Sequence, residues 1–237
     1  MMDCNCSGIL IVDKEKGWTS HDVCAFVKNR FQISKVGHAG TLDPLATGIL
    51  ILLLGRATSQ SAELSMCDKE YRGIFKLGIQ TDSHDITGCI TGTGNLNGIS
   101  PELIEETMSR FRGALEQVPP MVSAIKKNGV PLYRLARKGK VVDRAPRNIT
   151  VHELIIEEIN LPYVHFFSWV SKGTYVRTLV HDMGNAMGCF ATLTELRRVR
   201  SGGFTLEEAV TISFLKTAKP DELRKFVIDP IESLVRA

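Results

Sequence analysis

The order of apolar and polar positions divides the chain into short elements of both kinds. Gly8 to Asp13 (GILIVD) is almost wholly apolar and reads as a strand. Thr19 with Asp22 three residues later resembles a capping box, with Asp in place of Glu. Val23, Phe26 and Val27 then recur at helical spacing. Ile49 to Leu54 is apolar without a break, the pattern of a strand buried on both faces, so a central strand is expected there. Tyr71 to Leu77 alternates and stops at Gly78, and Thr87 to Gly98, rich in Gly, Thr and Asn, predicts strand and turn. Ser100-Pro101 opens a helix whose Leu103, Ile104, Thr107, Met108 and Phe111 should face inward.

Ile149 to Ile159 and Tyr163 to Ser171 read as paired strands. Val176, Leu179, Val180, Met183 and Met187 follow a period of about 3.6 residues, so a helix succeeds the second of them. Thr205 with Glu208 is a second capping box, and Pro220 to Ala237 reads as one or two short helices. Strands and helices mix without regular βαβ repetition, which predicts an α+β layer fold rather than a doubly wound sheet. The stretch Pro119 to Arg147 stands apart: Pro, Gly and basic residues dominate, with brief periodicity only at Leu132 to Ala136, as in an inserted arm.

Composition narrows the class. The 237 residues are 43% hydrophobic and 23% charged, a globular balance that excludes a disordered or fibrous chain. No apolar run approaches the roughly 20 residues of a membrane helix. The N-terminus carries Asp3 and no basic stretch, so no signal peptide is expected. Cys4, Cys6, Cys24, Cys67, Cys89 and Cys189 are scattered without a C-x-x-C pair, which predicts free thiols in a reducing cytoplasm. The net charge of +3 hides an asymmetry. Lys126 to Arg147 holds eight basic residues against the single acid Asp143, a local +7, while the remainder is −4. A small basic patch on a slightly acidic body fits a polyanionic partner, although such runs are more commonly solvated faces.

The segment richest in chemistry is Gly37 to Gly48, GHAGTLDPLATG. Pro44 fixes its own φ and pushes Asp43 into extended backbone, and the flanking glycines permit close backbone approach. Asp43 therefore sits on a rigid loop at the mouth of a core strand. Taken alone, Asp-Pro more often starts a turn than carries catalysis.

GHAGTLDPLATGIL resembles the signature of the bacterial tRNA pseudouridine synthase B family. DKEKGWTSHDV, KEYRGIFKLGIQTDSHDITG, PPMVSAIKKNGVPLYRLARKG, SKGTYVRTLVHDMG and LTELRRVRSGGF resemble further blocks in the same order, from about Gly8 to about Val210. The resemblance implies a mixed, mostly antiparallel sheet flanked by helices. It implies a catalytic domain over 1–215, including a basic RNA-binding arm at about 119–148, and a short helical tail over 216–237. It implies isomerisation of uridine to pseudouridine at position 55 in the T loop of tRNA, in the cytoplasm, by a monomer without cofactor or metal. Asp43 matches the catalytic aspartate, Tyr71 a tyrosine that stacks on the base and is proposed to move a proton, and Arg177 the arginine that pairs with the aspartate. Tyr175 lies in the same site, His38 matches a histidine that extrudes the nucleotide, and Leu196 an apolar wall. Lys126, Lys127, Arg137 and Lys138 of the arm would contact phosphate, with Arg197, Arg198 and Arg200 as a second basic cluster.

The residue types suit this chemistry. A carboxylate can trap the sugar at C1′ or assist elimination at C2′, and a guanidinium keeps it ionised when buried. Glu15-Lys16 and Val122 depart from the family pattern. The chain also shows no readable additional RNA-binding domain, which shifts the expected RNA affinity onto the arm. A tRNA-binding or folding module with dispensable catalysis is the alternative. Gly92-Thr-Gly94 lacks dinucleotide spacing, Asp82 and Asp85 lack calcium-loop spacing, Cys4 and Cys6 lack zinc spacing, and His181-Asp182 has no hydrolase partner motif.

Overall fold

A computed structural model describes residues 6–230, so Cys4 and the end of the tail, 231–237, lie outside the described residues. In chain order the first strands are β1 (Gly8–Lys14), β2 (Val36–Ala39), β3 (Thr47–Leu54) and β4 (Lys69–Leu77), with α1 (Ser20–Arg30) after β1 and the short α2 (Ser61–Leu64) before β4. The hairpin β5 (Ile79–Thr81) and β6 (Ile90–Thr93) precedes α3 (Pro101–Arg110) and β7 (Gly113–Gln117). The arm holds β8 (Lys126–Lys127), β9 (Val130–Pro131) and α4 (Leu132–Ala136). The long strands β10 (Arg147–Asn160) and β11 (Tyr163–Val170) lead to α5 (Val176–Ala186) and β12 (Ala191–Ser201). The chain closes with β13 (Phe204–Thr205), β14 (Val210–Thr211), α6 (Ile212–Thr217), α7 (Pro220–Arg224) and β15 (Val227–Ile228). This is an α+β architecture with mixed sheet.

Two compact units divide the chain, residues 1–71 with 196–237, and residues 72–195, so the boundaries fall within β4 and β12. In the first unit the strand order is β14-β1-β3-β12, with β2 on β3 and β15 on β1. β1 and β3 run antiparallel over their whole lengths, whereas β1–β14 and β3–β12 are parallel. Ile9, Ile11, Ile49, Ile51 and Leu53 form one cluster with Phe204. Leu10, Val12, Leu50 and Leu52 are equally buried, so both faces of these strands are covered, as the unbroken apolar runs require. The Thr19 box closes as its sequence suggests: Asp22 N donates to Thr19 Oγ1 at 3.0 Å and Thr19 N to Asp22 Oδ2 at 2.9 Å. Val23 and Val27 of α1 are fully buried.

In the second unit the order is β4-β11-β10-β7, antiparallel along β11-β10-β7. Phe75 and Phe166 meet at 5.7 Å between ring centroids. Ile104 and Met108 of α3 and Leu179, Val180 and Met183 of α5 supply helical core.

Several expectations are corrected. Leu103 and Phe111 are only partly buried, because the inward stripe of α3 centres on Ile104, Thr107 and Met108. The Thr205–Glu208 box does close as its sequence suggests, over the single 3-10 turn Leu206–Glu208. The segment after Pro220 contains a strand, β15, which pairs antiparallel with Ile9 and Leu10 of β1. A two-residue strand carries no periodicity, so only its long-range partner reveals it.

Candidate active site

The loop between β2 and β3 is tied down from several directions within the first unit. Ser20, buried at the start of α1, brackets Leu42: its Oγ accepts from Leu42 N at 2.9 Å and donates to Leu42 O at 3.1 Å. Gly17 N donates to Pro44 O at 2.8 Å, and Ala46 N closes a turn on Asp43 O at 3.1 Å. Asp43, partly buried, is thus held between the buried Leu42 and the exposed ring of Pro44.

Two buried cations complete this loop, and sequence reasoning assigned neither to it. Lys14 is fully buried and its Nζ donates to Trp18 O at 2.8 Å, Glu15 O at 3.1 Å and Pro44 O at 3.5 Å. Burial pushes its pKa down to about 8, with Asp43 opposing that shift and Arg198 adding to it. Arg198, only 1% exposed, donates from Nε to Ile49 O at 2.7 Å and from Nη2 to Gly40 O at 2.8 Å. Lys14 lies on the same face of β1 as Val12 and Leu10, two and four residues away, and both are fully buried.

His38 is half-buried on β2, opposite Leu52, and its carbonyl accepts from Ser61 Oγ at 3.0 Å. Burial first, then the Arg198 charge, lowers its pKa and favours the neutral ring. Tyr71 is 8% exposed, on the buried face of β4. Leu196 is partly buried, and its carbonyl accepts from Thr47 Oγ1 at 3.4 Å.

In the second unit Tyr175 is extended, with φ −97° and ψ 100°, and the chain turns helical at Val176. The buried Gln117 fixes this point, accepting from Tyr175 N at 2.8 Å and donating to Tyr175 O at 3.1 Å. Arg177 is 3% exposed, and its guanidinium lies 5.7 Å from the Tyr175 ring centroid. Its Nη1 donates to Ser83 O at 3.2 Å and its Nη2 to Val122 O at 2.5 Å. Val122 therefore serves through its carbonyl, while its side chain is 38% exposed. On the arm, Lys126, Lys127, Arg137 and Lys138 are all exposed.

The expected second basic cluster does not form. Arg197 makes a bidentate pair with Asp13 at 3.0 and 2.7 Å. Arg198 points inward on the alternating strand, and Arg200 pairs with Glu70 at 3.3 Å. Asp85 turns back on its own loop, Oδ1 accepting from Ser83 Oγ at 2.9 Å and Thr87 N at 2.9 Å, as an Asx turn does. Among the described residues, no group of His, Cys, Asp and Glu is placed to hold a metal, and no helix is long and apolar enough to cross a membrane. Cys24, Cys67, Cys89 and Cys189 are free thiols.

The buried Lys14 gives a pH prediction. Its folded pKa lies near 8 against an ordinary 10.5, so the cost of its buried charge is full below pH 8 and relieved as pH rises towards 10.5. Burial pushes the Cys24 thiol up to about 12, which acts in the opposite sense at high pH. The comparison is therefore between wild type and Lys14→Met. Urea unfolding from pH 7 to 10.5 should show wild type gaining stability relative to the variant; a constant difference would contradict a depressed Lys14.

Residues 28–176 match the TruB family pseudouridylate synthase N-terminal domain, and residues 177–236 the tRNA pseudouridylate synthase B C-terminal domain. The chain is 44% identical to the tRNA pseudouridine synthase B of Geobacter sulfurreducens, over 96% of this chain and 75% of that protein. It is 44% identical to the protein of that name from Opitutus terrae, over 93% of this chain and 92% of the relative. A crystal structure of a Cbf5-Nop10-Gar1 complex contains a chain that matches with TM-score 0.75 and 30% identity; the match covers 99% of this chain and 63% of that one. By both family matches and by these relatives, the chain belongs to the TruB family of pseudouridylate synthases.

Proposed function

We propose that this protein isomerises uridine to pseudouridine in tRNA, at position 55 of the T loop, with Asp43 as the catalytic carboxylate. The observation that carries the reading is the Gly37–Gly48 loop, in which Asp43 is fixed by Ser20, Gly17 and Arg198 beside the buried ammonium of Lys14. The family's curated members bear the name of that activity.

The reaction breaks the bond between C1′ and N1, turns the uracil, and joins C1′ to C5. The C5 proton leaves and N1 gains one, so no oxidant or reductant is consumed. A carboxylate assists by attack at C1′ or by elimination at C2′. Lys14 stabilises the ionised form of Asp43, as a nearby cation does for any carboxylate. In this reading Tyr71 stacks on the base and takes part in proton transfer, Arg177 serves the catalytic carboxylate with Tyr175 beside it, Leu196 gives the base an apolar wall, and His38 helps extrude the nucleotide. Extrusion costs a few kcal/mol, offset by stacking and phosphate contacts. The enzyme acts as a cytoplasmic monomer on the T stem-loop and uses no cofactor.

The test is incubation with an unmodified T-stem-loop RNA followed by nucleoside analysis. Wild type should yield pseudouridine. Asp43→Asn, nearly isosteric, should yield none while still binding the RNA. Turnover by Asp43→Asn would remove Asp43 from the chemistry. RNA binding without product in wild type would favour the alternative of a tRNA-binding or folding module.

The exposed arm supplies the second prediction. Each phosphate neutralised by Lys or Arg releases counterion, contributing roughly −0.7 to −0.9 to the slope of log affinity against log salt. Neutralising Lys126, Lys127, Arg137 and Lys138 together should weaken binding and flatten that slope by about 1 to 3 units. Unchanged affinity and slope would reduce the arm to a solvated loop.

A further inference from the structure

Beside Arg177 the second unit carries a contact that the mechanism does not use. The imidazoles of His84 and His181 lie face to face, 3.8 Å between centroids and 7° from parallel. His84 sits in the turn between β5 and β6, and His181 on α5. His84 Nδ1 also lies 3.3 Å from Thr178 Oγ1. Thr178 and His181 are three residues apart, so they share one face of α5. The residue before His84 is Ser83, whose carbonyl accepts from Arg177 Nη1 at 3.2 Å. Two consecutive turn residues therefore grip one turn of helix: Ser83 by its carbonyl on Arg177, His84 by its ring on Thr178 and His181.

The backbone at His84 is left-handed, with φ +65°, a conformation that a β-carbon disfavours. Asn or Gly would occupy it at lower cost. The contacts of the His84 ring with Thr178 and His181 offset that cost. His181 Nδ1 is buried and has no hydrogen-bond partner among the described residues, so its contact with His84 is by stacking. Burial, then His181, Arg177 and Arg144 push His84 down to about 3, and burial lowers His181. Both rings are then neutral at physiological pH, as close parallel stacking requires.

We propose that His84 is a positioning residue for Arg177, acting as one half of a stacked imidazole pair that holds the Ser83 carbonyl against the guanidinium. A buried guanidinium takes its orientation from the carbonyls it donates to, and Ser83 O and Val122 O are two of these. If the turn drifts from α5, Arg177 keeps its charge but loses its aim. This inference rests on the isomerase reading, in which Arg177 serves the reacting carboxylate.

The test compares His84→Asn and His84→Phe with wild type on the T-stem-loop RNA. Asn fits the left-handed backbone, so the turn is retained while the ring is lost. Phe restores a flat ring against His181. His84→Asn should lower the single-turnover rate at saturating RNA by about tenfold to a hundredfold, the scale of a misaligned catalytic group. Its dissociation constant for RNA should stay within about twofold of wild type, since only positioning for the chemical step is lost. His84→Phe should recover most of the rate. A wild-type rate in His84→Asn, no recovery in His84→Phe, or a parallel fall of affinity, melting temperature and rate would each overturn the proposal. Absence of product from wild type is a separate result: it refutes the isomerase reading, and this role of His84 with it.

Discussion

Arg198 carries its charge into the interior of the first unit and spends it on two backbone carbonyls, Gly40 O and Ile49 O. These carbonyls stand on either side of the loop that bears Asp43, so one planar guanidinium spans the loop's base. Burying a cation is costly unless its donors are satisfied, and the guanidinium of Arg198 satisfies two acceptors with donors held in a rigid planar fork. The approach of β12 that delivers Arg198 depends in turn on Gly48. Gly48 has φ +94°, and a β-carbon there would lie 2.2 Å from Arg198 O. The parallel pairing of Gly48 with Arg198 is thus open only to glycine.

The same buried charge sets the electrostatics around it. It lowers the pKa of His38 and of Lys14, while Asp43 pulls Lys14 the other way. The first unit provides buried cations whose own hydrogen bonds are made to backbone. The second unit prepares Arg177 by a comparable principle. Backbone carbonyls aim the guanidinium, Gln117 fixes Tyr175, and stacked neutral rings hold the turn that supplies one carbonyl.

Much of this was legible in the residues. The unbroken run Ile49 to Leu54, the alternation of Tyr71 to Leu77 and the Thr19–Asp22 box each give local structure by local physics, and each element forms. The Asp43 loop was legible because Pro44 and its glycines constrain backbone. What escaped depends on distant partners. β15 exists through its pairing with β1. Arg197, Arg198 and Arg200 read as one cationic cluster in sequence, yet on a strand they part: Arg198 turns inward and the other two find Asp13 and Glu70. Gln117 is a polar residue whose burial depends on backbone groups of a distant residue, Tyr175, and Lys14 is buried by folding its ammonium back onto the carbonyls of Glu15 and Trp18.

The most direct test of the Arg198 clasp is amide hydrogen exchange in Arg198→Lys. The probe is the Ala46 amide, which donates to Asp43 O and reports whether the loop stays closed. With a flexible ammonium in place of the rigid planar fork, Ala46 should exchange at least about tenfold faster, while core amides of β1 such as Leu10 keep their protection. Unchanged protection at Ala46 would show that the loop holds its shape without the guanidinium, and would contradict this account of how Asp43 is placed.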